Sequence, residues 1–216
     1  MKKRSLLFIF LFFSLSFTNI FAQEWATSVK VSTLGGNIEV YRSFGEQFNA
    51  HLGFNYFSLE QDLTGQEDFD AKFKVGLMSI SALGDYFPFE GGGFRLTAGV
   101  FVNLNQIDAT LTPTDSYEVG GDVYTPEELG TLEASITFNK IAPYIGLGFG
   151  NPTGGDSGLG FTFEIGTIYQ GGSIVDLTAT GLLEPSAAED QEQTFEENLA
   201  WFKWYPVVSL GLTYKF

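Results

Sequence analysis

The sequence predicts an all-β protein: an eight-stranded antiparallel up-and-down transmembrane β-barrel with a short helix in one loop. Three observations predict it. Apolar residues recur at every second position in segment after segment, the period of a strand whose side chains alternate between two faces. The N-terminus carries an export signal. The chain ends "PVVSLGLTYKF", where Val208, Leu210, Leu212, Tyr214 and Phe216 form one apolar face. The interleaved residues Val207, Ser209, Gly211, Thr213 and Lys215 are small or polar, Val207 excepted.

Residues 1–22 read as a secretory signal peptide, cleaved after Ala22, which leaves 23–216 as the barrel domain. "MKKR" supplies the positive start and "SLLFIFLFFSLSF" a 13-residue apolar run, short for a membrane span of about 20 residues. The chain has no Cys, so it forms no disulfide and takes no lipid anchor through Cys. Loss of Lys2, Lys3 and Arg4 takes the net charge from −15 to −18. That balance argues against nucleic-acid partners and against a general cationic attraction to anionic lipid. No later stretch offers a 20-residue apolar run. A membrane location therefore requires a closed barrel, because lipid leaves no partner for unpaired backbone groups.

The strands follow in order. "EWATSVKVSTLGGNIEVYRSF" places Val29 and Val31 before Gly35–Gly36, and Ile38 and Val40 after it in the other phase. Two strands joined by a tight "LGGN" hairpin account for that change; one strand with a glycine bulge is the alternative. "NAHLGFNYFSLE" sets Ala50, Leu52, Phe54 and Tyr56 against Asn49, His51, Gly53 and Asn55. "DAKFKVGL" sets Phe73, Val75 and Leu77 against Lys72, Lys74 and Gly76. "FRLTAGVFVNLNQ" alternates from Phe94 to Leu104 against Arg95, Thr97, Gly99, Phe101 and Asn103. "ASITFNKIAPYIGLGFG" starts in one phase with Ile136 and Phe138 and continues in the other with Ile141, Ile145 and Leu147. A bulge near Asn139–Lys140 would produce that slip. "FTFEIGTIYQ" sets Phe161, Phe163, Ile165 and Tyr169 against Thr162, Glu164 and Gly166.

The opposite faces carry Arg95, Glu164, Lys72, Lys74, Lys215, His51 and many Gly. A soluble, lipocalin-like barrel would turn the apolar faces inward. A membrane barrel turns them outward and needs aromatic girdles at its two interfaces. Phe and Tyr near segment ends, together with export, favour the second arrangement.

The mature chain resembles the small outer-membrane β-barrel proteins of Gram-negative bacteria, of the general kind that includes the OmpA, OmpX and OmpW barrels. Phe216, Tyr214, Leu212 and Leu210 match the terminal signal of that group. The resemblance covers residues 24–216 and implies a cell outer-membrane location, outer-membrane lipids as surround, and the barrel-assembly machinery as a partner through the strand ending at Phe216.

"SFGEQFN", "DYFPFEGGG" and "GNPTGGDSG" are compact connections, whereas 107–133 and 181–203 are long. Short turns are periplasmic and long loops external in such barrels. Eight strands put all three compact turns and both termini on the periplasmic side. The external segments are acidic: 107–133 holds Asp108, Asp115, Glu118, Asp122, Glu127, Glu128 and Glu133 with no Lys or Arg. They offer a surface to an extracellular partner. "EPSAAEDQEQTFEENLAWFKW" reads as a helix capped by Ser186 and Glu189, with Ala188, Phe195, Leu199 and Phe202 along one face.

Catalytic signals are thin. His51 is the only His, and no Ser is placed beside it by sequence. No catalytic, cofactor-binding or metal-ligating residue is assigned, and no cofactor is implied; the protein reads as a non-enzyme. Arg95, Lys72, Lys74 and Lys215 against Glu164, Glu39 and Asp176 are expected to form a charge network in the lumen, which in eight-stranded barrels is narrow enough to fill with side chains. The function expected is structural anchoring or surface recognition. The alternatives are a narrow channel for uptake of a small hydrophobic ligand, and a lipid-modifying enzyme using His51.

Overall fold

The structure is a computed structural model and describes residues 25–65, 68–119 and 122–216. Residues 1–22, expected to be a signal peptide, lie outside the described residues. Eight antiparallel strands close a ring: β1 (Trp25–Ser32), β2 (Gly35–Ser43), β3 (Phe48–Leu63), β4 (Phe69–Tyr86), β5 (Phe94–Asn103), β10 (Ile141–Phe149), β11 (Gly158–Tyr169) and β13 (Trp204–Lys215). β13 pairs back with β1, Ala26 opposite Lys215 and Val31 opposite Leu210. The Phe216 N–H donates to the Trp25 carbonyl at 3.2 Å, so the terminal aromatic closes the lower edge of the seam.

"LGGN" does separate two strands, as expected, but the turn itself is Thr33–Leu34, with Ser32 opposite Gly35. Gly35 has φ +98°, and a Cβ there would lie 2.4 Å from the Tyr56 carbonyl oxygen. Only glycine lets this hairpin end press against β3. The three compact turns share one end of the ring with Trp25 and Phe216, and the long loops emerge from the other.

The strands do not end together. β6 (Gln106–Pro113), β9 (Leu132–Thr137) and β12 (Ile174–Ala179) continue β5, β10 and β11 upward, and β6 pairs along the upper half of β4. They build a wall above one side of the ring. On the other side, the β1–β2 hairpin stops low. A small hairpin, β7 (Tyr117–Val119) with β8 (Asp122–Tyr124), and α1 (Pro126–Leu129) occupy the loop between β6 and β9. Above Tyr56, β3 pairs with β4 alone among the described residues.

The bulge expected near Asn139–Lys140 needs correction. The chain does leave strand geometry between Thr137 and Ile141, and the register against β11–β12 shifts there by one residue, from Thr137 opposite Ile174 to Tyr144 opposite Ile168. The faces of β9 and β10 nevertheless stay in phase, since Thr137 opposes Gln106 and Ile141 opposes Val102 in a single register. The face changes parity on the neighbouring chain instead, at Gln170–Ser173, where Gly171 has φ +74°. What changes along β9–β10 is polarity, not phase.

The loop helix forms as α2 (Glu189–Asn198), but without the expected cap. Ala188 is its N-cap and makes no side-chain bond, while Ser186 lies in the preceding 3₁₀ turn. The capping box occurs at α1, between Thr125 and Glu128. Nor does α2 bury an apolar stripe: Phe195 is exposed. It lies along the β12 edge, where Glu196 accepts from the Val175 N–H at 3.1 Å and Glu192 from the Leu177 N–H at 2.9 Å.

Candidate functional site: the lumen and the outer wall

Alternation sends Lys30, Glu39, Tyr41, His51, Asp85, Arg95, Tyr144 and Glu164 into the ring, where all are buried. Charges out of water need partners at close range. Arg95 is enclosed completely and reaches Glu164 at 2.5 Å and Asp85 at 3.3 Å. Its Nη1 also donates to the Gly150 carbonyl at 2.6 Å. Lys30 lies 2.7 Å from Glu39, whose carboxylate also accepts from the Tyr41 hydroxyl. The Tyr144 hydroxyl donates to Glu164 at 2.5 Å, and the Thr97 hydroxyl to Asp85 at 2.6 Å. Two cations thus face three carboxylates across the bore.

His51 completes the set. Its Nδ1 lies 3.4 Å from Asp85, and its ring packs 4.4 Å from that of Tyr41. No hydrogen bond joins it to a serine among the described residues. The geometry is that of an ion-network member walled in on every side.

Buried side chains also stand in the bore above and below this layer. Leu34 folds from the β1–β2 turn into the upper mouth and packs with Leu83, Phe101, Ile168 and Val207. The Tyr205 hydroxyl bonds the Thr33 carbonyl at 2.7 Å, and the Thr33 hydroxyl bonds the Pro206 carbonyl at 2.9 Å, which ties the turn down. At the lower mouth Phe87, Pro152 and Thr153 are buried, and Thr153 donates to Asn49 at 2.8 Å. The space between Lys30, Asn37, Asn55 and Glu164 measures about 20 Å³, room for about one water.

The outer wall has the reverse polarity. Val75, Ile107, Ile136 and Val175 stand opposite one another on the inward face. The adjacent outward row is Glu60, Lys74, Asp108, Ser135 and Asp176. Phe57, Leu59, Leu63 and Phe73 add to the inward face and are each at least 40% exposed.

This placement divides the expected lumen set. Arg95, Glu164 and Glu39 meet in the bore. Lys72, Lys74 and Asp176 do not: they face outward on the wall, above the ring, in water. Lys215 bonds the Gly155 carbonyl of the lower turn instead. The expected set omits Lys30 and Asp85, although alternation holds the signal: Lys30 falls between Val29 and Val31, and Asp85 shares a face with Ser79 and Ser81.

The outward face of the ring is predominantly apolar, with Phe48 stacked 5.0 Å from Tyr86 in the lower girdle and Tyr169 4.7 Å from Trp204 in the upper. A closed ring with such a belt is suited to hydrocarbon. No protein-family model matches the chain, and neither does any curated protein. Among solved structures, Acinetobacter baumannii CarO aligns with 88% of this chain and 97% of its own, at 18% identity and a TM-score of 0.58. Acinetobacter baumannii CarO2 aligns with 89% and 98%, at 20% identity and a TM-score of 0.59. The fold is that of the small outer-membrane β-barrels, as the terminal strand implied.

Proposed function

We propose that the chain is a non-conducting outer-membrane barrel that anchors a recognition surface, the one-sided outer wall. The observation that carries this reading is the division of the molecule. Buried ion pairs cross the bore and buried side chains stand near both mouths, while the wall beyond it leaves Phe57–Leu63 of β3 with one unpaired backbone edge among the described residues. A partner able to lay an extended segment along that edge gains backbone hydrogen bonds and apolar contact together. In this reading the termini are periplasmic, the assembly machinery takes up the strand ending at Phe216, and the protein performs no catalysis.

A second reading, uptake of a small hydrophobic ligand, draws on the exposed apolar inward face of the same wall. In that reading the ligand leaves sideways, over the low β1–β2 hairpin, away from the charged side chains of the bore beneath.

Planar-bilayer recording separates anchor from channel. The wild type should show no conductance steps, and the pair Leu34→Gly with Phe101→Ala should show small ones. Steady wild-type conductance would overturn the anchor reading. Displacement of a fluorescent fatty-acid probe by substitution at Phe73, with silent bilayers, would favour lateral uptake over protein recognition.

A further inference from the structure

The sheet of the outer wall ends at β12 on one side and at the upper part of β3 on the other, among the described residues. Strand edges in water invite foreign strands. The β12 edge is guarded: Glu196 and Glu192 of α2 accept from its Val175 and Leu177 N–H groups. The β3 edge is open. β2 makes its last pair with β3 at Gly36 and Tyr56, and beyond it residues 57–63 have β4 on one side and no strand on the other among the described residues. The edge is held in place, because its residues stand in register with β4 from Phe57 opposite Leu77 to Leu63 opposite Ala71. At about 3.4 Å per residue it runs roughly 24 Å, above the low β1–β2 hairpin.

A strand laid in that place meets two different faces. Inward are Phe57, Leu59 and Leu63, with Phe73 behind them on β4, each at least 40% exposed. Outward are Ser58, Glu60 and Asp62. Cross-strand neighbours on one face set the preference for the incoming side chains, so the occupant alternates apolar with polar.

Charge selects the polar half. The wall and its loops, residues 57–77, 106–138 and 174–203, hold 19 carboxylates against three lysines and no arginine. Lys74 and Lys72 stand opposite Glu60 and Asp62. The selection therefore comes from the excess over the whole wall, which ion pairing within it leaves unchanged, and not from those two carboxylates. A field of one sign raises the encounter rate and affinity of the opposite sign.

We propose that the open edge of β3 binds an extended cationic peptide segment, its apolar side chains against Phe57, Leu59 and Leu63 and its lysines or arginines on the outward side. This rests on the recognition reading above and names the chemistry of the partner. A second copy of the chain paired edge to edge would bring up another wall of the same sign. The same field repels an anionic lipid headgroup.

Fluorescence anisotropy with the folded full-length barrel in neutral detergent tests it. The probes are nine-residue peptides: valine alternating with lysine, valine alternating with glutamate, and the lysine peptide methylated on its backbone nitrogens. The lysine peptide should bind roughly tenfold tighter than the glutamate peptide near 0.15 M salt, and the gap should narrow to below about threefold at 1 M, where screening is nearly complete. Methylation keeps the charge and removes the donors, and should weaken binding at least about tenfold. Amide exchange at residues 57–63 should slow when the lysine peptide is bound. Equal binding of the lysine and glutamate peptides, with slowed exchange at 57–63, would overturn the charge selection and leave edge recognition standing. Equal binding of the lysine peptide and its methylated form would overturn the proposal by showing attraction to the wall without strand pairing. A dimer in sedimentation of the peptide-free barrel, protected at 57–63, would overturn it in favour of a second copy. Failure of every peptide to bind would overturn it together with the recognition reading.

Discussion

The closed ring and the outer wall are built from the same strands with opposite polarity. β4 carries both. In its lower half Ser79, Ser81 and Asp85 point into the bore and Ile80, Ala82 and Tyr86 point out. In its upper half Val75 and Phe73 take the inward face, and Lys72 and Lys74 the outward one. Nothing slips between the halves: Asn103 pairs with Ser79 and Gln106 with Gly76 in one register. The strand period therefore fixes which residues share a face. What each face meets fixes its chemistry. Hydrocarbon outside the ring pushes polar groups inward, and water outside the wall lets charged groups turn outward.

The comparison breaks most visibly in the bore. Glu164 holds Arg95, lies 3.9 Å from Lys30 and accepts from Tyr144. Glu164→Ala leaves Arg95 short of a partner inside the ring, a loss of about 3–5 kcal/mol. The denaturant midpoint of the refolded barrel should fall sharply. Asp108→Ala, which removes an outward wall carboxylate hydrogen-bonded to Ser135 and Gln106, should move it by less than about 0.5 kcal/mol. Equal shifts would erase the distinction between the regions.

The next effect tests the belt. Leu210 faces outward at mid-strand in β13. Leu210→Arg should cost about 2–4 kcal/mol, as a cation near the bilayer midplane does. Thr110→Arg, outward on β6 beside Lys72, should cost almost nothing. Heat-modifiable mobility in membrane fractions reads both. A tolerated Leu210→Arg would place that face in water.

Much of this is legible from alternation alone. It yields most of the strand phases and the burial of Arg95, Glu164, Glu39 and His51, because a period of two survives any tertiary detail, while the count of eight also needs the glycine hairpin and the lengths of the connections. It does not show where lipid ends. Lys72 and Lys74 belong in the bore only if the apolar face is outward along the whole strand, and it is not. "ASITFNKI" resembles a phase slip for the same reason: Ile136 and Phe138 are apolar because they face inward above the ring, and Ile145 because it faces lipid within it. The cue lies in β4, whose 18 residues exceed the ~9–11 of a membrane strand. In α2, helical spacing suggests an apolar stripe, whereas its glutamates are the residues in use. No local pattern marks a carboxylate that will meet a strand edge brought there by a long loop.

That edge carries the smallest effect. Above the ring, β12 has β9 on one side and no strand on the other among the described residues. Unpaired edge N–H groups invite foreign strands. Here Glu196 and Glu192 bond the Val175 and Leu177 N–H groups, so α2 stands where a strand would. Such contacts near water are worth about 1 kcal/mol, little beside the ring. Glu196→Ala should therefore speed amide exchange at Val175 roughly fivefold, the factor for about 1 kcal/mol, and leave the denaturant midpoint of the ring unchanged. Glu197→Ala, one residue further along α2 and bonded to neither amide, should alter neither reading. If Glu196→Ala lowered the midpoint as far as Glu164→Ala, wall and ring would unfold as one unit. If it left exchange at Val175 untouched, the N–H would be held by something other than the helix, and β12 would be a paired strand rather than a guarded edge.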